Sequence, residues 1–185
     1  MNGRSLRALI NQREVGHLRE VAGLWSFQYA ASWLNHPQAF ALSPHLPLSA
    51  EPLLDGASQR PVQWYFDNLL PEEGQRTLLA GDARLDAADA FGLLAWYGAE
   101  SAGSLTLLPP EAAPQATEPL RPLPDEPLQA RILQMPKAPL THAAIKRMSL
   151  AGAQHKLAVV LQEGALFEPA GATPSTHILK PDHPD

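Results

Sequence analysis

The first part of the chain alternates apolar and polar residues in runs of strand length. Residues 5–10 and 15–18 alternate on either side of an Asn11-Gln12-Arg13 turn, and residues 25–29 alternate aromatic with polar side chains. The pattern predicts two paired strands followed by a strand with one aromatic face. Residues 42–48 contain two prolines, so this stretch is predicted to be an edge strand or an extended loop.

Helical spacing of apolar residues follows this strand-like region. A short helical turn is predicted over residues 30–35, and longer helices over residues 61–70, 72–81 and 86–98. Pro61 suits a first helical position, Gly81 a C-terminal cap and Asp86 an N-terminal cap. Residues 104–108 return to a strand pattern. Short strands around three helices predict an α+β subdomain over residues 1–108.

Proline dominates the next segment. Residues 109–139 contain nine of the 19 prolines, so residues 109–140 are predicted to be a linker with at most a short helix at 128–134. Another helix is predicted over residues 142–148. The order beyond it is a small-residue loop, a strand at 157–161, a turn, a second strand, a loop and a strand at 175–180. This order predicts a set of antiparallel strands within residues 141–185.

Composition narrows the classes of function. Hydrophobic residues make up 45% of the chain and charged residues 18%, as in globular proteins. The net charge of −5 argues against direct nucleic-acid binding by this chain, because such binding depends on a basic surface. Cysteine is absent and no apolar run approaches the roughly 20 residues of a membrane span. No signal peptide or membrane association is predicted, and a cytoplasmic location fits.

Candidate chemistry is concentrated in residues 149–180. The loop SLAGAQHK at 149–156 is rich in small residues, whose backbone N–H groups can approach phosphate oxygens closely. A lysine on a neighbouring strand, Lys180, could supply positive charge to the same phosphates. The spacing matches neither of the common glycine-rich phosphate-binding motifs. An ordinary hairpin with a surface lysine therefore stays open on spacing alone.

Several blocks of the sequence resemble one protein family. The loop at 149–156 and the run PSTHILK at 174–180 resemble the Gly-rich loop and ATP-binding lysine of HipA-family serine/threonine kinase toxins, which belong to type II toxin–antitoxin modules. Earlier blocks resemble the N-terminal subdomain of that family in the same order: Phe27-x-Tyr29, Trp33-Leu34, Leu42-Ser43, Leu46-Pro47-Leu48, Phe66 to Pro71, Phe91-x-Leu93-Leu94, Gly98 and Gly103.

The resemblance implies a fold and a set of site residues. The implied fold is a small mixed α/β subdomain followed by the first antiparallel strands of a protein-kinase-like N-lobe. The resemblance gives Ser149 the place of the family's autophosphorylated serine and Lys180 that of the lysine that reaches the ATP phosphates. The implied phosphate-contacting loop consists of Ala151, Gly152, Ala153, Gln154, His155 and Lys156.

Neighbouring histidines and acids have simpler interpretations. His177 alternates with Leu179 and is expected to be a packed strand residue. A metal site built from His177, Asp182, His183 and Asp185 is conceivable from residue type. Three of these four residues lie in a proline-flanked chain end. No metal site is therefore predicted in this chain.

The resemblance also implies a function and partners. The cofactors would be ATP and Mg²⁺, with the Mg²⁺ ligands and the catalytic aspartate in a C-terminal lobe that follows the strand lysine. No such lobe follows Lys180 here, so the chain is expected to be inactive alone. The implied substrate is an aminoacyl-tRNA synthetase, whose phosphorylation inhibits translation and promotes dormancy, and the implied partner is a HipB-like DNA-binding antitoxin. An alternative is a stand-alone binding module that neutralises a separate kinase subunit.

Overall fold

Nine strands among the described residues form two antiparallel sheets. The structure is a computed structural model that describes residues 3–100, 104–113, 116, 118–134, 156–170 and 173–182. The first sheet has the strand order β4-β3-β2-β1-β5 and the second the order β6-β8-β7-β9. Together with the helices they confirm the predicted α+β class.

The first sheet grows from two consecutive hairpins. Its strands are β1 (Arg4–Ile10), β2 (Arg13–Val21), β3 (Leu24–Tyr29), β4 (Leu53–Leu54) and β5 (Leu105–Leu108). Asn11 and Gln12 form the first turn with φ angles of 49° and 64°, as two-residue hairpin turns require. The register of β1 against β2 shifts between Ala8 and Leu9, which marks a β-bulge.

One face of the first sheet, the inner face, is covered by helices. These are α1 (Ala31–Leu34), α2 (Pro61–Asp67), α3 (Glu73–Ala83) and α4 (Ala90–Tyr97). Phe27 is fully buried against Phe66, with ring centroids 5.4 Å apart, and Trp25 meets Phe91 edge-on at 5.1 Å. The predicted aromatic face of β3 is therefore the centre of the core, where aromatic burial contributes most.

Several helix boundaries differ from the predictions by a few residues. The α2 helix ends at Asp67 rather than residue 70, and α3 continues past Gly81 to a left-handed Arg84 at φ 56°. Asp89, not Asp86, caps α4 by accepting a hydrogen bond from the Gly92 N–H at 3.0 Å. Residues 42–48 form a loop with one isolated bridge, between Ser43 and Leu46.

A buried carboxylate connects the short strand β4 to α2. Asp55 follows β4 and is only 6% exposed. Its two carboxylate oxygens accept hydrogen bonds from the N–H groups of Val62 at 2.8 Å and Gln63 at 3.0 Å. These are first-turn N–H groups that have no partner within a helix. Asp55 therefore caps α2 from the residue that follows β4, which sequence periodicity did not predict.

The second sheet contains parts of the segment predicted as a linker. Its strands are β6 (Arg121–Pro122), β7 (Leu157–Gln162), β8 (Ala165–Glu168) and β9 (His177–Leu179). The helix α5 (Asp125–Gln134) is longer than the predicted 128–134. Leu128 of α5 packs with Leu157 and Val159 of β7. Arg131 of α5 also forms an ion pair with Glu168 of β8.

Burial raises the pKa of three tyrosines that pack among the first sheet and its helices. Tyr97 shows the largest effect, to which the adjacent Asp82 carboxylate adds. Tyr29 and Tyr65 shift in the same direction, with burial as the main cause. Their folded-state pKa values lie above the unfolded value of about 10. The folded state therefore holds more protons above that pH, and the stability from these groups is lost as pH rises through their folded-state pKa values.

Replacing Tyr97 with phenylalanine should reduce this alkaline loss of stability. The free energy of unfolding should fall less steeply between about pH 10 and pH 12 in Tyr97→Phe than in the unmodified chain. The variant should lose some stability at neutral pH, because the hydroxyl lies 2.9 Å from the Leu79 carbonyl and 3.1 Å from Asp82. Urea unfolding at a series of pH values measures both effects. Equal slopes for the two proteins would contradict the assignment.

Candidate functional site

The predicted site residues fall into two groups. Ser149 and residues 151–155 lie outside the described residues, so their predicted roles stay predictions. Lys156 and Lys180 are described: Lys156 immediately precedes β7, and Lys180 immediately follows β9. The structure can therefore test where the two lysines lie relative to each other.

The register of β7 against β9 brings the two lysines to the same end of the sheet. These strands are antiparallel, with Leu157 opposite Leu179, Ala158 opposite Ile178 and Val159 opposite His177. One further step of this register places Lys156 opposite Lys180. Directly opposed residues of antiparallel strands have Cβ atoms about 5 Å apart. Two residues 24 positions apart in the sequence thus lie close together at the end of the sheet where β7 begins and β9 ends.

The lysines share a face of the sheet with small and apolar residues. Side chains alternate along a strand, so Lys156 lies on the same face as Ala158 and Val160, and Lys180 on that of Thr176 and Ile178. We call this the lysine face. The other face carries Leu157, Val159 and Leu179, which pack with Leu123 and with Leu128 of α5. Helix α5 therefore covers the side of the sheet opposite to the lysine face.

The lysine face is partly open. Lys180 is exposed, Ile178 is 51% exposed, and Ala158 and Lys156 are intermediate. Among the described residues, none forms an ion pair with Lys180, whereas Lys156 does have an interaction partner. Like charges in directly opposed positions repel each other. An anion between the two ammonium groups would convert that repulsion into attraction, which fits a phosphate group.

Thr176 fixes β9 in its place. Its N–H donates to the Val159 carbonyl at 3.0 Å, and its hydroxyl oxygen accepts from the Leu161 N–H at 2.9 Å. The same oxygen lies 2.8 Å from Nδ1 of His177. His177 is exposed and not packed as predicted, because β9 lies at the edge of the described sheet. Thr176 therefore sets the register that places Lys180, a role that sequence reasoning missed.

Neither metal nor membrane chemistry is evident in the described residues. Within these ranges no three histidine, aspartate or glutamate side chains gather as a metal site would require. His183 and Asp185 of the conceivable metal set lie outside the described residues. Of the helices that the structure describes, none has the length and apolar character needed to cross a membrane.

Comparisons with known proteins identify one family. The family model described as the HipA N-terminal domain matches residues 6–108. The protein Y4mE of Sinorhizobium fredii is 40% identical over 161 residues, covering 84% of this chain and 37% of that protein. The serine/threonine-protein kinase toxin HipA of Shewanella oneidensis is 29% identical over 160 residues, covering 86% of this chain and 35% of the toxin.

A solved structure extends the match to the fold. HipA in a complex of Shewanella oneidensis HipA, HipB and their operator DNA superposes with a TM-score of 0.67 at 25% identity. The match covers 94% of this chain and 39% of that one. The chain thus spans little more than a third of the length of the curated relatives.

Proposed function

This chain belongs to the HipA family, and on that premise we propose that it is the N-terminal, nucleotide-binding part of an ATP-dependent serine/threonine protein kinase toxin. The observation that carries the proposal is the pairing of Leu157 with Leu179, which brings the adjoining Lys156 and Lys180 to the same end of β7 and β9. The family toxin from Shewanella oneidensis is named as a serine/threonine-protein kinase, which supports the same chemistry here.

The two ends of the lysine face suit the two ends of ATP. The ammonium groups of Lys156 and Lys180 would bind phosphate oxygens through charge-assisted hydrogen bonds. Ala158 and Ile178, which are direct cross-strand partners, would offer an apolar surface to the adenine ring. Backbone N–H groups of residues 151–155 would complete the phosphate site, since the small side chains of residues 151–153 allow close approach.

Ser149 would regulate this site. We place autophosphorylation on Ser149, seven residues before Lys156. A phosphate adds a charge of about −1.5 to −2 and would repel the phosphates of ATP from the neighbouring loop. Mg²⁺ would neutralise charge on the transferred phosphoryl group. Its ligands and the catalytic aspartate would come from residues outside this chain, so the chain alone would bind ATP but not transfer phosphate.

The proposed partners follow from the relatives. The matching solved complex contains HipB and operator DNA together with HipA. A HipB-like DNA-binding antitoxin would accordingly bind this protein and supply the contact with DNA. The protein substrate would be an aminoacyl-tRNA synthetase, whose phosphorylation would slow translation and promote dormancy in the cytoplasm.

Intact mass spectrometry of the protein from its natural source tests the proposal. We expect a polypeptide well above 20.0 kDa, with a phosphopeptide that contains Ser149. Treatment of the same sample with a phosphatase should remove the phosphate from that peptide, which serves as the control. A polypeptide of 20.0 kDa without phosphate from the natural source would contradict the kinase proposal. It would favour the alternative that this chain is a subunit that neutralises a separate kinase.

A further inference from the structure

A charged cluster lies on the face of the first sheet that points away from helices α2–α4. We call this the outer face. Arg7 of β1 lies there, opposite His17 of β2 on one side and Leu108 of β5 on the other. His17 is joined to Glu14, with Nε2 and Oε1 3.2 Å apart. None of these residues belongs to the lysine face of the second sheet.

Arg7 binds the start of the proline-rich segment. One terminal nitrogen of its guanidinium donates a hydrogen bond to the backbone carbonyl of Ala112. The other terminal nitrogen lies 3.6 Å from a carboxylate oxygen of Glu14. The Ala112 N–H in turn donates to the Pro109 carbonyl at 3.0 Å. The guanidinium therefore connects β2 to a turn that begins directly after β5.

Apart from Glu14 and His17, Arg7 borders buried leucines on the outer face. Its side chain is only 22% exposed, and its Nε is buried without a hydrogen-bond partner. Leu108 opposite it and Leu9 farther along the outer face are both buried. An apolar residue such as leucine would suit these surroundings better, because arginine buries an Nε–H group that has no hydrogen-bond partner, which is unfavourable. The contacts of the terminal guanidinium nitrogens with Ala112 and Glu14 explain why this residue is an arginine.

We infer that Arg7 is a strap that holds residues 109–112 against the outer face and so fixes the direction in which the proline-rich segment leaves the first sheet. Proline-rich segments are semi-rigid, so fixing the first residues constrains those that follow. The segment continues to β6 and α5, which belong to the second sheet and its covering helix. Release of the strap would loosen the connection between the first sheet and the strands that carry Lys156 and Lys180.

The rate of cleavage by a glutamate-specific protease tests whether Arg7 holds the chain at Ala112. Glu111 is exposed and immediately precedes Ala112, and Glu163 in the β7–β8 turn provides an exposed internal reference. Cleavage after Glu111, relative to Glu163, should accelerate about tenfold in Arg7→Gln, because one charged hydrogen bond is lost. The matched control is Arg19→Gln, on the exposed end of the same face opposite Ser5, which should leave the ratio unchanged.

A second variant separates the strap from general unfolding. Arg7→Lys keeps the positive charge but cannot reach Ala112 and Glu14 with two separate nitrogen donors, so it should accelerate cleavage after Glu111 while the thermal unfolding midpoint stays close to that of the parent. Unfolding of Arg7→Gln would accelerate cleavage at both glutamates equally. An unchanged ratio of cleavage in Arg7→Lys, or an equal rise in Arg19→Gln, would overturn the inference.

Discussion

Replacing Lys180 with methionine should weaken ATP binding by about tenfold to a hundredfold, because a charged hydrogen bond contributes about 1.5–3 kcal/mol. Methionine keeps an unbranched side chain of similar length, so the lysine face retains its shape while losing one of its two paired charges. Fluorescence titration with a labelled ATP analogue, on the protein expressed from its natural gene, measures the effect. The affinity should also fall as salt rises, and less steeply in Lys180→Met.

Arg121→Met is the matched control for Lys180→Met. Arg121 is an exposed cation of the same sheet, but it lies on β6, at the opposite edge from β9. The variant removes one positive charge from the second sheet but changes no residue of the lysine face, so its affinity for ATP should equal that of the parent. Equal losses in the two variants would mean that ATP responds only to overall charge. Unchanged binding in Lys180→Met would remove Lys180 from the site.

Replacing Gly16 with alanine should destabilise the first sheet by about 3 kcal/mol, the upper part of the range for overpacked cores. A Cβ atom at Gly16 would lie 2.3 Å from the Gln28 carbonyl oxygen and 2.7 Å from the ring of Phe27. Relief would require moving either the backbone of β3 or a ring at the centre of the core. Thermal or urea unfolding of the variant measures the loss.

Gly81→Ala is the matched control, with an effect of opposite sign. Gly81 lies within α3, and an added Cβ would meet no atom within 4 Å. Alanine there should raise the free energy of unfolding by up to about 1 kcal/mol, because glycine costs about that much within a helix. Destabilisation by both variants would mean that glycine is required for reasons other than the close contact at Gly16.

Local patterns in the sequence were sufficient to predict most of the strands and helices within residues 1–108. The strands β1, β2, β3 and β5 follow from period-two alternation, and α2 begins at the predicted Pro61. The cap of α4 was placed three residues early. Asp89 is held in the capping position by an ion pair in which one guanidinium nitrogen of Arg4 contacts both carboxylate oxygens. Arg4 lies 85 positions away along the chain, and a local sequence pattern cannot predict such a contact. Strand β4 was missed because two residues are too few to show a period.

The sequence by itself determined which residues could carry the chemistry. The order of loop, strand, turn and strand before Lys180, and the small residues at 151–153, could be predicted because side-chain size and alternation are local properties. The tertiary structure alone decided that β7 and β9 bring Lys156 and Lys180 to the same end of the sheet and that α5 covers the other face. Strand register depends on long-range hydrogen bonds such as those of Thr176 with Val159 and Leu161, and a shift of one residue would turn every side chain to the opposite face.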